Sequence, residues 1–371
     1  MLEVQILAAE SGSARRAFLE FPYRLYAQDA VWVAPLRRDQ KRILDIRRHP
    51  FYGHAESRLF VARRGRDIVG RIAAIVDHNA PPEHGKRVGS FGFFESIDDP
   101  ETTRGLLAAA REWLRERGMH LVRGPMNPSY NYGGAILVDG FEEPPSIGTP
   151  YNPPYYDRLL TGAGLRGHRD FLAFQLTRDQ LHRAQALAGR FGAAVPGARL
   201  RPFDVRQFER EARWIYELHT TGFTKNYDFA PLSMEEVREI ARDIERYGDP
   251  RLVQFCEVDG RPAGIVVALP DWNQALGAAR GRLFPLGWWR ILRARRNIRR
   301  IRIFLLCMAP EWQGTGLAAT FLTMADQPGS EQYTEIEASW IVESHPIMPR
   351  ALALLGARTT KRYRVYEGDV D

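Results

Sequence analysis

Two glycines spaced one residue apart at the end of an apolar run are the residues in this chain best placed to do chemistry. Ile303 to Met308 reads as a strand, and Ala309-Pro310-Glu311-Trp312-Gln313-Gly314-Thr315-Gly316-Leu317-Ala318 follows as a glycine-broken turn opening a helix from about Gly316 to Ala325. Glycine lets the backbone turn tightly, and the first N–H groups of the helix have no partner of their own. Several donors then point at one place, where the helix dipole also favours negative charge, so a pyrophosphate fits. The same order of strand, glycine turn and helix is also an ordinary α/β connection, and its neighbours must decide between the two.

The order Pro-Glu-Trp-Gln-Gly-Thr-Gly-Leu-Ala after a strand resembles the acyl-CoA loop of the GNAT acyltransferase superfamily, with Gln313, Gly314, Gly316 and Ala318 close to that pattern. The resemblance implies that acyl-CoA, as co-substrate, is held by Cys307, Met308, Gln313, Gly314, Thr315, Gly316, Leu317 and Ala318. It also implies that backbone N–H groups of the Leu306 to Met308 segment face the thioester carbonyl. Acyl transfer to an amine further needs a proton acceptor for the amine, stabilisation of the developing oxyanion and a proton for the departing thiolate. Glu337 and Glu343 lie on the following strand-like run, Glu335 to Glu343, where alternation puts positions 337, 339, 341 and 343 on one face. Each reads either as the base, its pKa raised in an apolar strand, or as a rim carboxylate paired with an arginine. GNAT domains carry an asparagine and then a tyrosine after this strand, but here His345 and Leu352 stand in those places, with Gly356 closing the helix. The thiolate therefore takes its proton from elsewhere: Tyr363 and Tyr366 of the last strand are available, Tyr366 is the candidate donor, and water is the alternative.

A second unusual region is Arg123-Gly124-Pro125-Met126-Asn127-Pro128-Ser129-Tyr130-Asn131-Tyr132-Gly133-Gly134, followed by Pro150-Tyr151-Asn152-Pro153-Pro154-Tyr155-Tyr156. A stretch so rich in Gly, Pro, Asn and Tyr is fixed by local turns while presenting amide and aromatic groups, as binding loops do. Asn127, Tyr130, Asn131, Asn152 and Tyr155 are the candidate acceptor-binding residues, and an irregular crossover whose tyrosines cover a core is the other reading.

The elements that must position these residues repeat. Arg58 to Ala62 and Ile68 to Ile75 read as a hairpin, Val88 to Phe94 as a third strand, Glu101 to Arg117 as a helix capped near Asp99 and ended by Gly118, and His120 to Gly124 as a strand. The second half has the same order: a hairpin from Phe255 to Leu269, the strand Ile303 to Met308, the glycine turn and helix, then the strand Tyr333 to Val342. This predicts an α/β (α+β) fold of two GNAT-like domains, each a mixed sheet flanked by helices, with boundaries 1–176 and 203–371 and a connecting segment 177–202. The first half has Phe94-Glu95-Ser96-Ile97-Asp98-Asp99-Pro100 in place of the glycine turn, where acidic residues complement the helix dipole and repel a pyrophosphate. It reads as a degenerate copy.

The chain has 371 residues, 44% of them hydrophobic, and a net charge of +7. Two cysteines in apolar runs exclude a disulfide scaffold and suit a reducing cytoplasm. No run approaches the ~18 apolar residues of a membrane span, no export signal opens the chain, and no zinc spacing or metal-ligand cluster appears. The basic charge suits anions such as CoA phosphates or acidic lipid, with nucleic acid disfavoured for want of any recognition motif. Phe284 to Arg302 carries seven arginines and adjacent Trp288 and Trp289, which reads as peripheral contact with the inner membrane face or as a basic helix packed on the body. Gly-Pro-Met-Asn-Pro-Ser, Pro-Tyr-Asn-Pro-Pro-Tyr-Tyr and Ser-Trp-Ile-Val-Glu are similar to bacterial tandem-GNAT proteins that include ceramide synthases. That resemblance implies acyl transfer from a thioester to a primary amine, namely a long-chain sphingoid-type lipid amine. A small soluble amine as acceptor, or a non-catalytic acyl-CoA-binding regulator, are the alternatives.

Overall fold

The computed structural model describes residues 3–190, 195–224, 229–326 and 329–371. The chain forms two compact units, and both are discontinuous: Met1–Asp170 with Leu276–Arg290 and Lys361–Asp371, and Phe171–Ala275 with Ile291–Thr360.

The first unit holds β1 (Val4–Ala8), β2 (Ala55–Arg64), β3 (Asp67–Asp77), β4 (Val88–Ser96), β5 (Leu121–Gly124) and β6 (Ile136–Asp139). Strands β1 to β4 are antiparallel in chain order, and β5 then runs parallel to β4. The helix Pro100–Arg115 makes that crossover. Asp99 caps it by accepting from the Thr102 N–H at 2.9 Å, and Gly118 leaves it at φ 71°. Leu106, Leu107, Ala110, Trp113 and Leu114 recur at helical spacing, so one stripe of the helix packs against Phe60, Ile72, Ala74 and Phe91 of the sheet.

The second unit takes β7 (Arg166–Thr177) from Phe171 onward, β8 (Arg199–Pro202), β9 (Val253–Val258), β10 (Arg261–Pro270), β11 (Arg300–Met308) and β12 (Glu335–Val342). β8 to β11 pair antiparallel, β12 runs parallel to β11, and β7 closes the far side of β12 antiparallel. The helix Phe208–Gly222 packs its buried face, Ala212, Ile215 and Leu218, against β10 and β11.

The last strand, β13 (Arg358–Asp369), returns to the first unit: Tyr366 to Asp369 pair antiparallel with Gly124 to Leu121 of β5. The first unit thus takes a closing strand from the far end of the sequence, whereas β7 is continuous with the rest of the second unit. The segment 177–202, expected as a connection, instead contributes β8 to the second unit and a helix Arg178–Arg190. Of its Gly192 to Gly197 stretch, which the glycines and proline make read as flexible in the sequence, residues 192–194 lie outside the described residues.

Candidate active site

In both units the parallel pair separates after a few residues. In the second unit the β11–β12 register runs from Arg300 opposite Glu335 to Ile303 opposite Ala338 and then stops, and the end of β12 turns to β7, with Ile341 opposite Leu172. β11 carries a register shift against β10 at Val267/Ala268, which bends a strand away from its neighbour. The free stretch Phe304 to Met308 leads directly into the glycine turn. Ligands of open α/β sheets bind outside the carboxyl ends of strands, and a wedge between two parallel strands that part at those ends is such a crevice.

The turn is built as a cradle. Gly314 and Gly316 have φ of 78° and 86°, a region open to glycine at little cost. No atom lies within 4 Å of where a Cβ on either would stand, so both face open space. Among the described residues, no hydrogen bond takes the N–H of Gly314, Gly316 or Ala318. Leu317 is fully buried and anchors the turn, while residues 313–316 and 318 are exposed. The following Leu317–Asp326 helix has 3-10 geometry. The residues fit a pyrophosphate.

The side chains of three residues assigned to CoA binding hold the loop. Gln313 donates from Nε2 to the carbonyls of Gly222 at 2.9 Å and Met308 at 3.2 Å, tying the turn to the end of the 208–222 helix. Thr315 donates to the Trp312 carbonyl at 2.8 Å. Cys307 is buried, its thiol donates to the Leu218 carbonyl at 3.1 Å, and burial pushes its pKa up to about 12, so it is a neutral packing group facing away from the crevice. Gly222 fits because a Cβ there would meet Cys307 Sγ at 2.4 Å and the Met308 carbonyl oxygen at 2.6 Å.

The proposed side-chain chemistry separates. Glu337 is 2% exposed and accepts from Ser339 Oγ at 2.8 Å, and the same hydroxyl accepts from Arg302 Nε at 2.9 Å. It belongs to a buried Arg302–Ser339–Glu337 network and not to the rim. Strict alternation also fails: the shift between Ala338 and Ile341 breaks the face expected to carry 337 to 343. Glu343 lies exposed just past the end of β12, at the same edge of the sheet as the cradle. His345 is a helix-start residue, accepting at Nδ1 from the N–H groups of Ile347 and Met348 at 3.2 and 3.1 Å. Tyr366 is fully buried in the first unit's core, donates to Asp157, and is held well above its ordinary pKa by burial and that carboxylate. It is a packing residue there.

In the first unit the equivalent wedge is filled by the chain itself. β4 and β5 pair only from Val88/Leu121 to Ser90/Arg123. Beyond that, the Met126 N–H donates to the Phe91 carbonyl at 2.7 Å, and the Phe93 N–H donates to Asn127 Oδ1 at 2.6 Å. Gly92 must be glycine, since its Cβ would lie 1.6 Å from the Met126 carbonyl oxygen. The helix start is taken by Asp99, bound to Arg64 at 2.7 Å. Asn127 therefore serves the fold. So do Asn152, whose amide exchanges bonds with the Leu137 backbone at 2.7 and 3.0 Å, and Tyr155, which donates to the Ser96 carbonyl at 2.9 Å. Tyr130 and Asn131 are half-buried in the same loop.

The sequence analysis assigned nothing to residues 203–252, and the structure adds His219 there. It lies one turn before Gly222, buried between Phe223 and Phe229 with ring centroids 5.4 Å away in each case. Its Nδ1 has no partner among the described residues, and burial lowers its pKa to about 4, keeping the ring neutral.

Solved structures share this architecture end to end. A tandem GNAT protein from the clavulanic acid biosynthesis pathway superposes with a TM-score of 0.56 over 100% of this chain and 99% of its own, at 17% identity. A probable N-acyltransferase from Enterococcus faecalis V583 gives 0.54 over 99% of this chain and 73% of its own, at 7% identity. No protein-family model matches the chain. At the level of sequence, the chain is 32% identical over 375 residues to the bacterial ceramide synthase of Caulobacter vibrioides, covering 98% of this chain and 97% of that protein. It is also 29% identical over 364 residues to protein YghO of Escherichia coli K12, covering 96% and 93%. The chain belongs to the acyltransferase family of the bacterial ceramide synthase, and its fold is that of the tandem GNAT proteins.

Proposed function

We propose that the protein moves an acyl group from acyl-CoA to the primary amine of a long-chain, sphingoid-type lipid, forming an amide. The open glycine cradle at the end of a parted parallel strand pair carries this reading, because it appears in one unit and is plugged in the other. The similarity to a ceramide synthase over nearly the whole chain supports the lipid amine.

In this reading the pyrophosphate of CoA meets the N–H groups of Gly314, Gly316 and Ala318, and the thioester lies along the free edge of Leu306 to Met308. Backbone donors there stabilise the oxyanion as the amine nitrogen attacks the carbonyl carbon. The C–N bond forms, the C–S bond breaks, and the amine proton passes to Glu343, the exposed carboxylate at the same edge. With Tyr366 buried in the other unit, water protonates the thiolate. No helix among the described residues is long and apolar enough to cross a membrane. A lipid amine is collected by peripheral contact at the inner face through the exposed start of the Phe284 to Arg302 stretch, Phe284 to Arg290, since Arg302 itself is buried.

The test is mass spectrometry of products after incubation with acyl-CoA and a panel of amines, from short soluble ones to sphingoid bases. Amides of the long-chain bases are expected. Acylation of soluble amines alone would overturn the lipid assignment, and CoA binding without any amide would make the protein a regulator.

A further inference from the structure

Among the described residues, ten large hydrophobic side chains stand exposed, and four of them, Phe284, Leu286, Trp288 and Trp289, fall within six residues of the first unit, at 79%, 56%, 46% and 48% exposure. Such clustering marks an interaction surface. The segment is preformed. Gly287 is buried in a turn so tight that its Cβ would lie 1.8 Å from the Arg282 carbonyl oxygen, and the Trp288 N–H closes that turn on the Leu283 carbonyl at 2.8 Å. The Trp288 indole N–H already donates to the Pro285 carbonyl at 3.1 Å, so the ring can enter an apolar phase without losing a partner.

Beside this segment, within the same unit, is a cavity of about 480 Å³ lined by Arg16, Arg37, Arg38, Arg282 and Phe284, with Glu20 its acidic member. Glu20 is held by Arg37 through bonds of 2.9 and 3.0 Å, and it is also close enough to Arg16 and Arg282 to feel their charge. Among the described residues, the side chains of Arg16 and Arg282 have neither a hydrogen bond nor an ion pair, and both are exposed. The Arg37–Glu20 and Arg38–Asp39 pairs cancel, and Arg16 and Arg282 leave the cavity positive. Gly281, at φ 74°, seats the segment against Pro35 and Arg37, with the Arg37 N–H donating to its carbonyl at 3.2 Å.

We propose that this arginine cavity receives the phosphate of an anionic phospholipid while Phe284, Leu286, Trp288 and Trp289 enter the headgroup boundary. This deepens the lipid-amine reading above and rests on it only for its biological purpose. Aromatic rings at the boundary with arginines at the phosphate level match the chemistry of an anionic bilayer surface.

The experiment is co-sedimentation of the full chain with vesicles of phosphatidylcholine alone and with phosphatidylglycerol added, read together with tryptophan emission. We expect at least tenfold tighter binding to the anionic vesicles, a blue-shifted emission, and loss of binding as salt rises. The double variant Arg16→Glu, Arg282→Glu should lose the preference while still acylating a detergent-dispersed amine. Equal binding to both vesicle types, binding indifferent to salt, or binding to a DNA duplex but not to vesicles would each overturn the proposal. The salt series uses the wild-type chain and stands even if a variant misfolds. If the protein acylates long-chain amines in detergent yet ignores anionic vesicles, this inference fails and the lipid-amine reading survives; vesicle binding without amide formation is the converse.

Discussion

Gly316→Leu tests the cradle most directly. Gly316 has φ 86° and open space around its Cβ position, so leucine there clashes with nothing and is penalised only by its backbone conformation. That costs roughly 1–2 kcal/mol, or about 2–8 °C in melting temperature for a unit of this size. Gly85 is a matched control: φ 78°, nothing within 4 Å of its Cβ position, exposed, and in the other unit. Gly85→Leu should therefore lose the same stability. Only Gly316→Leu should place a side chain where a pyrophosphate would lie, lowering CoA affinity by more than tenfold, at least ~1.4 kcal/mol. Calorimetric titration with CoA, beside melting curves for both variants, separates the two effects. If Gly316→Leu binds CoA as the wild type does, or if Gly85→Leu loses binding equally, the cradle has been misplaced.

Glu337→Ala should destabilise the fold by about 3–5 kcal/mol, since it strips a partner from a buried network that includes Arg302; a urea series measures this, and lost activity at unchanged stability would restore Glu337 as the base. For His219 the sign follows from its lowered pKa: the unfolded chain binds the proton near pH 6.5, the folded chain only near 4. The neutral ring's stability is complete above pH 6.5 and falls as pH drops to about 4, by about 3 kcal/mol in all. His219→Phe should flatten that stretch of the melting-temperature profile, and an unchanged slope would contradict the assignment. Because Met126 and Asn127 fill the first unit's wedge, titration should find one CoA site per chain; two sites would mean the plug opens.

The glycine turn, both hairpins and the capped helix were legible in the sequence because local rules fix them. Positive-φ glycines, an Asp N-cap and period-two alternation act over a few residues, and the tertiary structure had only to accept them. The roles of polar side chains were not legible in this way. Asn127 and Asn152 look like ligand-binding amides until the Phe93 and Leu137 backbones take their bonds. Gln313 looks like a phosphate donor until Gly222, 91 residues away in sequence, takes its amide. Glu337 stays a candidate base until the parallel pairing sets it opposite Arg302 and the Ser339 hydroxyl binds it.

By itself the sequence determined that two copies of one α/β arrangement follow each other and that one of them carries a glycine turn between strand and helix, since a glycine pattern is a statement about backbone that no distant contact revises. Tertiary structure alone decided which strand closes which sheet. Pairing across 242 positions, as between Gly124 and Tyr366, leaves no periodicity to read. That exchange placed Tyr366 in the first unit's core, donating to Asp157, and removed it from the chemistry.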